Sequence, residues 1–210
     1  MLGNLDHGSG HDKLMEPPDA DLWTRSRAGD RDAFGALFER HATLIYNYCF
    51  RRMGSWETAE DMLSVAFLEA WRRRDKELPP DKVLPWLYGI ATNVVRNQQR
   101  SERRFAAALT RMPTLEPTPD FAEHAAEHLD DEQQMQGVLS LLAKLPQRER
   151  DVFALCAWME LSYDDAAVAL GVPAGTVRSR LSRARTHLKE LASGLGHEQG
   201  ENTTLQETRP

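Results

Sequence analysis

The stretch LSYDDAAVALGVPAGTVRSRLSRARTHL, residues 161–188, decides how the C-terminal part of this chain folds. Ser162 is suited to cap a short helix, and Gly171 can adopt the turn conformation that residues with a Cβ atom resist. Pro173 fits the first turn of a second helix. Apolar side chains recur in that helix at steps of four and three residues, at Val177, Leu181, Ala184, Leu188 and Leu191. This pattern predicts a helix-turn-helix whose second helix is the recognition helix.

The face opposite this apolar stripe is basic. Residues 172–189 hold five basic side chains and no acidic one: Arg178, Arg180, Arg183, Arg185 and Lys189. Arginine can pair bidentately with guanine edges or hold phosphates, and serine can make either contact more weakly. The pattern therefore favours DNA binding, and a solvated basic helix face is the alternative.

Composition and charge exclude several classes of protein. The 210 residues are 41% apolar and 28% charged, which is typical of a globular protein, and no apolar run approaches the roughly 20 residues of a membrane span. The N-terminus is polar and acidic, unlike a signal or transit peptide. Two cysteines are too few for a disulfide framework or a thiolate metal site, so a cytoplasmic location is expected.

The net charge of −6 is concentrated in one segment. Residues 105–132 carry one basic and seven acidic side chains and three prolines, which predicts a flexible acidic linker. Elsewhere the apolar spacing is helical, with no strand alternation. We therefore predict an all-α protein of two small helical domains joined by that linker. The predicted divisions are a disordered N-terminus (1–18), a first domain (19–104), the linker (105–132), a second domain (133–192) and a disordered tail (193–210).

Helix boundaries follow from caps, prolines and apolar spacing. The predicted helices are 19–28, 30–53, about 56–74, about 84–104, 133–144, 147–158, 163–170 and 173–191, with a weak helix around 120–130. The fourth helix buries a stripe that begins at Trp86. Its other face, predicted to be exposed, holds Tyr88, Gly89, Thr92, Asn93, Arg96, Asn97, Arg100 and Arg103.

Two blocks of sequence resemble bacterial sigma factors of the extracytoplasmic-function type. LPQRERDVFAL (145–155) followed by YDDAAVALGVPAGTVRSRLSRAR (163–185) resembles their C-terminal domain, region 4. AEDMLSVAFLEAWRR (59–73) followed by PWLYGIATNVVRN (85–97) resembles their N-terminal domain, region 2. The resemblance implies an alternative sigma factor, a non-catalytic initiation subunit that needs no cofactor or metal and works on the nucleoid when bound to polymerase.

The resemblance also implies roles for individual residues. Contacts to the minus-35 element would fall to Arg178, Ser179, Arg180, Ser182 and Arg183. Contacts to the minus-10 element would fall to Trp86, Tyr88, Asn93, Arg96 and Arg100, with the loop 79–85 forming a pocket for a flipped base. Contacts to the β′ clamp helices of core RNA polymerase would fall to Asp61, Ser64 and Leu68. The sequence departs from the family pattern at Ser64, where many members carry Gln, and at Gly89 and Thr92, where many carry Arg.

The same resemblance implies three partners: core RNA polymerase, through its β′ clamp helices and β flap, promoter DNA, and an anti-sigma factor. The linker would resemble the family's connector through the RNA exit path, with a solvated spacer as the alternative. Core packing is the alternative role for Trp86 and Tyr88, and it is favoured for Phe67 and Trp71.

Two other functions compete with this interpretation. A stand-alone helix-turn-helix regulator would bind duplex DNA without polymerase, but it leaves the 57–104 motifs unexplained. His124, Glu127 and His128 fit the H-x-x-E-H pattern of zinc peptidases, as a hydrolase would require, yet they lie in a weak linker without a third ligand. Cys49 and Cys156 lie in apolar helical segments and are expected to be buried thiols.

Overall fold

The computed structural model describes residues 17–110 and 129–204, with side chains described as far as residue 193. All regular secondary structure in these ranges is helical, which confirms the all-α prediction. The helices are α1 (Asp19–Arg27), α2 (Arg31–Met53), α3 (Trp56–Arg72), α4 (Val83–Leu109), α5 (Leu129–Leu142), α6 (Gln147–Phe153), α7 (Tyr163–Leu170) and α8 (Ala174–Thr204), and a π-helical turn (Ala154–Trp158) follows α6. None of the described helices is long and apolar enough to cross a membrane.

Local capping explains why the first helices begin and end where they do. The Asp30 side chain accepts a hydrogen bond from the backbone N–H of Ala33 at 3.0 Å and caps α2. Gly54 ends α2 in the left-handed conformation, with φ of 69°. Ser55 then accepts from the N–H of Thr58 at 3.3 Å and caps α3. These signals are local, so sequence analysis placed the boundaries of α2 and the start of α3 closely.

Helices α1–α4, here called the N-terminal bundle, enclose an aromatic core. Trp86 packs edge-on against Trp23, with ring centroids 4.8 Å apart, so core packing is confirmed for Trp86. The Phe67 ring is buried between Phe34 and Phe38, and Trp71 is partly buried against Phe34 at 5.1 Å. The expectation of core packing is therefore confirmed for Phe67, whereas Trp71 lies at the edge of the core.

Helices α5–α8, here called the C-terminal bundle, contain the helix-turn-helix. Ser162 accepts from the N–H of Asp165 at 3.1 Å and caps α7, and Gly171 forms the turn with φ of 64°. The predicted stripe of α8 faces inward: Val177, Leu181 and Ala184 are buried, and Leu188 and Leu191 are partly buried. The predicted helix-turn-helix is therefore present, with α8 as its second helix.

Several predicted boundaries are wrong. The single helix expected at 147–158 changes into a π-helical turn, in which the N–H of Met159 donates to the carbonyl of Ala154 at 3.2 Å. Helix α8 continues to Thr204 instead of ending near 191, and the Ser193 hydroxyl donates to the Lys189 carbonyl at 2.9 Å within it. Helix α4 extends into the predicted linker as far as residue 109, and α5 begins inside it at residue 129. Residues 1–16, 111–128 and 205–210 lie outside the described part of the chain.

The two bundles pack directly on each other. One continuous apolar core includes residues of both bundles, and its members from the C-terminal bundle are Val152, Ala154, Leu155, Ala166, Val177 and Leu181. Helix α7 lies against α4 at Gly89, where a Cβ atom would meet the carbonyl oxygen of Ala169 at 2.4 Å. Tyr88 and Thr92 are buried against Tyr48 of α2. The expectation that Tyr88, Gly89 and Thr92 are exposed is therefore wrong, because α7 packs on Gly89 and Tyr48 of α2 packs on the other two.

The first prediction concerns the core of the N-terminal bundle. Phe67→Ala should lower the free energy of unfolding by about 3–5 kcal/mol, because it leaves a cavity among buried aromatic rings. Leu68→Ala is the matched control, since the Leu68 side chain is 48% exposed and its loss should cost less than about 1 kcal/mol. Urea denaturation measures both values, and equal losses would show that Phe67 does not pack as described.

Candidate nucleic-acid interface

The basic face of α8 is open to solvent. Arg178, Ser179, Ser182 and Arg183 are exposed, and Arg180 is partly buried. Arg183 donates through Nε to the Ser179 carbonyl at 3.4 Å, and the Arg178 guanidinium lies 5.5 Å from the centre of the Tyr163 ring. Over residues 17–110 and 129–193, no carboxylate forms an ion pair with any arginine of this face. The face therefore carries uncompensated positive charge, which suits a polyanion.

The part of α8 that follows Arg183 is also basic. Arg185 and Lys189 are exposed, as expected for solvated side chains. His187 binds Glu149 of α6 instead, with its Nδ1 2.8 Å from the carboxylate. The first three turns of α8 therefore hold the arrangement that resembles a DNA-reading surface most closely.

The residues assigned to the minus-10 element separate into two groups. Asn93 and Arg100 are exposed and Arg96 is partly buried, on the solvent side of α4. Trp86 and Tyr88 are buried, and the Tyr88 ring lies edge-on to Tyr48 at 5.4 Å. Burial raises the pKa of the Tyr88 hydroxyl to about 12. The structure thus brings the polar members of this set together and keeps the two aromatic members out of solvent.

A groove of about 420 Å³ runs between α3 and α4 beside Asn93. Its walls include apolar side chains such as Val65 and Ile90 and polar ones such as Asn97. The Arg73 guanidinium at the groove is paired with Glu69 at 3.0 Å. Amide groups over a partly apolar floor can hold an unstacked base by hydrogen bonds and contact.

The face of α3 assigned to polymerase is exposed. Asp61, Ser64 and Leu68 follow one another at helical spacing and all reach solvent, with Val65 beside them.

Two charged residues that sequence analysis did not single out connect the bundles. Asp151 of α6 is fully buried, and its carboxylate accepts from Arg52 of α2 at 2.8 Å. It also accepts from Nε and Nη2 of Arg96 on α4, at 2.9 and 2.7 Å, and from Gln147 at 3.0 Å. Arg52 and Asp151 lie 99 positions apart, so no local pattern could have paired them.

The Arg52 guanidinium is buried together with its partners. Burial alone would lower its pKa, but the neighbouring Tyr48 and Asp151 raise the pKa of Arg52 above its usual range. Arg150, on the other side of this cluster, has a lowered pKa because it is partly buried and because Arg103 and Arg52 repel its charge. The charge of Arg52 is therefore retained inside the protein by the Asp151 carboxylate.

The described residues do not test the zinc-site hypothesis, and they confirm a buried thiol at Cys49. Within 17–110 and 129–193, no group of three His, Cys, Asp or Glu side chains is placed to hold a metal ion. His124, Glu127 and His128 lie outside the described residues. Cys49 is buried, which raises the pKa of its thiol to about 12, and Cys156 is partly buried with a raised pKa. Both thiols are thereby kept in their protonated, less reactive form.

Comparison with known proteins agrees with this arrangement. The family model for sigma-70 region 2 matches residues 37–105, and the model for sigma-70 region 4 matches residues 135–188. The sigma factor CarQ of Myxococcus xanthus is 30% identical over 171 residues, which cover 81% of this chain and 95% of CarQ. The sigma factor CnrH of Cupriavidus metallidurans is 31% identical over 189 residues, which cover 84% of this chain and 96% of CnrH.

A solved structure is similar over the same span. The structure of CnrH in complex with the cytosolic domain of CnrY superimposes with a TM-score of 0.62 and 26% identity, and it covers 84% of this chain and 97% of CnrH. Both region models match in the family's order, and the similarity extends over nearly the full length of these relatives. This chain therefore belongs to the sigma-70 family of RNA polymerase sigma factors, in its extracytoplasmic-function group.

Proposed function

We propose that this sigma factor directs core RNA polymerase to two-part promoters, with α8 reading the minus-35 element and α4 capturing one strand of the minus-10 element. Sigma factors direct transcription initiation as non-catalytic subunits of RNA polymerase. The observation that carries the promoter assignment is the basic face at the start of α8, exposed and free of ion pairs within the described residues. Because the protein would work with polymerase on promoter DNA, we expect it in the cytoplasm, on the nucleoid.

The minus-35 contacts follow from the chemistry of α8. Arg178 and Arg183 can each pair with guanine or with phosphate, while Ser179 and Ser182 offer short hydroxyls near the helix start. Arg180 is partly buried and is better placed for the phosphate backbone. An α-helix fits the major groove of duplex DNA, so this element is read as a double strand.

The minus-10 contacts follow from the polar side of α4. The Asn93 amide lies at the α3–α4 groove and can bond the edge of an unstacked base, and Arg96 and Arg100 can hold strand phosphates. Trp86 and Tyr88 are buried against Trp23 and Tyr48 of the N-terminal bundle, so they would join this set only after that packing changes. The loop 79–85, just before them, would form the pocket for a flipped base.

Polymerase binding is assigned to exposed residues of α3. Asp61, Ser64 and Leu68 would contact the β′ clamp helices, and the C-terminal bundle would contact the β flap. The similarity to CnrH, which was solved with the cytosolic domain of CnrY, supports an anti-sigma factor as a further partner of this chain.

The test of this proposal uses purified full-length protein and bacterial core polymerase. Pull-down should show a stable complex, and run-off transcription from a pool of genomic fragments should give discrete new start sites. Leu68→Asp should weaken core binding by about tenfold or more, since it places a charge in the apolar contact. Leu109→Asp is the matched control, because Leu109 is similarly exposed and lies outside the proposed contact.

Two results would contradict the proposal. If the protein does not bind core polymerase but binds a duplex tightly by itself, it is a stand-alone regulator. If Leu68→Asp and Leu109→Asp weaken core binding equally, the face of α3 is not the polymerase contact.

A second prediction concerns the minus-35 element. Arg183→Ala should reduce initiation at a minus-35-dependent promoter by about 10- to 100-fold, because an arginine–base pair contributes about 1–3 kcal/mol. Arg148→Ala removes the same charge from an exposed position of α6, outside the proposed reading face, and should have a much smaller effect. Core binding, measured in parallel, should persist in both variants. Equal loss of core binding and initiation in Arg183→Ala would refute the minus-35 role.

A third prediction concerns strand capture. Asn93→Ala should impair promoter opening more than closed-complex binding, because its amide is proposed to hold a base that is exposed only after melting. Permanganate reactivity of minus-10 thymines measures opening, and gel retardation measures binding. Asn47→Ala, which removes an exposed amide from α2 away from the α3–α4 groove, is the control. Normal permanganate reactivity in Asn93→Ala would remove Asn93 from the mechanism.

A further inference from the structure

We infer that a cavity lined by α2, α4, α5 and α6 is a binding site for a small phosphate ester that carries a hydroxyl group. The cavity has a volume of about 200 Å³. It shares no wall residue with the α3–α4 groove or with the basic face of α8. The inference therefore goes beyond promoter recognition, and it can be tested on the free protein.

Positive charge is concentrated at this cavity. Its wall holds Arg52, Arg103 and Arg150, which come from three different helices, and the carboxylate of Glu102. Arg52 is paired with Asp151, but neither Arg103 nor Arg150 forms an ion pair with a carboxylate of residues 17–110 or 129–193. An anion in the cavity would relieve the mutual repulsion of these guanidinium groups.

The Arg150 side chain lacks both a counter-charge and an acceptor. Partial burial lowers its pKa, and the nearby charges of Arg103 and Arg52 lower it further. Its Nη2 donates to the neutral amide of Gln147 at 2.6 Å. Its Nε is shielded from solvent and has no acceptor among the described residues. A phosphate oxygen toward which this side chain turns would supply the missing acceptor and the missing negative charge.

Glu102, the acidic residue of the wall, leaves these groups uncompensated. It is exposed, and its carboxylate accepts a hydrogen bond from the Gln98 amide at 3.0 Å. Within the described residues it forms no ion pair with an arginine of the cavity. Arg103 and Arg150 therefore keep their donors for an anion.

Gln99 adds a requirement for a hydrogen-bond donor on the ligand. Its Nε2 donates to the Arg52 carbonyl at 3.0 Å, which fixes the orientation of the amide. Its Oε1 is shielded from solvent and accepts no hydrogen bond from the described residues. A sugar hydroxyl or a protonated phosphate can donate to this oxygen, whereas sulfate carries no proton at neutral pH. The unpaired donor of Arg150 and the unpaired acceptor of Gln99 together match a ligand with phosphate oxygens and a hydroxyl.

The size and the apolar wall of the cavity indicate a small organic ligand. Met53, Leu142 and Trp158 form part of the wall and can contact carbon atoms. Sites for drug-sized ligands usually have volumes of about 300–1,000 Å³, so this smaller cavity suits a phosphorylated compound of a few carbon atoms. Arginine is well suited to such a ligand, since its planar guanidinium can bond two phosphate oxygens at once.

The experiment is calorimetric titration of the full-length protein with inorganic phosphate, sulfate and ribose 5-phosphate. Constant ionic strength keeps the general screening of charge equal in all three titrations. Ribose 5-phosphate should bind at least about tenfold more tightly than inorganic phosphate, because its carbon atoms and hydroxyls add contacts. Sulfate should bind at least about tenfold more weakly than inorganic phosphate, because it leaves Gln99 Oε1 without a donor.

Nuclear magnetic resonance of the indole N–H groups locates the bound ligand. The chain has five tryptophans, of which Trp158 lies in the cavity wall and Trp71 does not. The signal of Trp158, assigned with Trp158→Phe, should shift when ribose 5-phosphate is added. The signal of Trp71, assigned in the same way, should stay in place.

Point variants test the individual contacts. Arg103→Ala should weaken binding of ribose 5-phosphate by about tenfold, because it removes an exposed guanidinium from the wall. Arg104→Ala is the matched control, since Arg104 is the next residue of α4, is exposed and lies outside the wall. Arg183→Ala, on the basic face of α8, should leave binding unchanged. Gln99→Met should reduce the preference for phosphate over sulfate to less than about twofold, because it removes the acceptor.

Three results would overturn the inference. If none of the three compounds binds, the cavity is not a ligand site. If Arg103→Ala and Arg104→Ala weaken binding equally, or if Arg183→Ala abolishes it, the anion binds through general charge. If ribose 5-phosphate binds no more tightly than inorganic phosphate, the site takes the free anion and the ester assignment is wrong. Binding to core polymerase and the promoter start sites do not depend on these results, so the proposed function is tested separately.

Discussion

The Asp151 carboxylate is the contact on which the arrangement of the two bundles depends. It is fully buried between the guanidinium groups of Arg52 and Arg96, which come from two helices of the N-terminal bundle. Removing one partner of a buried ion pair costs about 3–5 kcal/mol, because the other charge is left without compensation. The bundles can therefore separate only where water or another ligand replaces these bonds.

The polar network extends from this carboxylate into the N-terminal bundle. Arg52 donates to the Tyr48 hydroxyl at 2.9 Å, Tyr48 donates to Thr92 Oγ1 at 2.7 Å, and Thr92 donates to the Tyr88 carbonyl at 2.7 Å. Each donor in the chain finds one acceptor, so these polar groups are buried without the cost of lost hydrogen bonds. Through this network, a side of α4 whose sequence is polar is buried in the interior of the protein.

The two DNA-binding surfaces proposed here differ in their surroundings. The start of α8 presents arginines to solvent, whereas the aromatic residues of the α4 site, Trp86 and Tyr88, are buried against Trp23 and Tyr48. Helix α7 thus has two structural roles: it supports α8 within the helix-turn-helix, and it packs against α4. A protein arranged in this way is suited to act within a larger assembly that holds its two halves apart.

The sequence by itself determined the helical class, the helix-turn-helix, the inward stripe of α8 and the family, because caps, turns and apolar periodicity act over a few residues. It also determined that Trp86 could belong to a core, but not that Tyr88, Gly89 and Thr92 would lie beneath another helix. Only the tertiary structure decided that, since the Arg52–Asp151 pair joins positions 99 residues apart. Local patterns report which face of a helix is apolar; whether a mixed face is exposed depends on what the rest of the chain places against it.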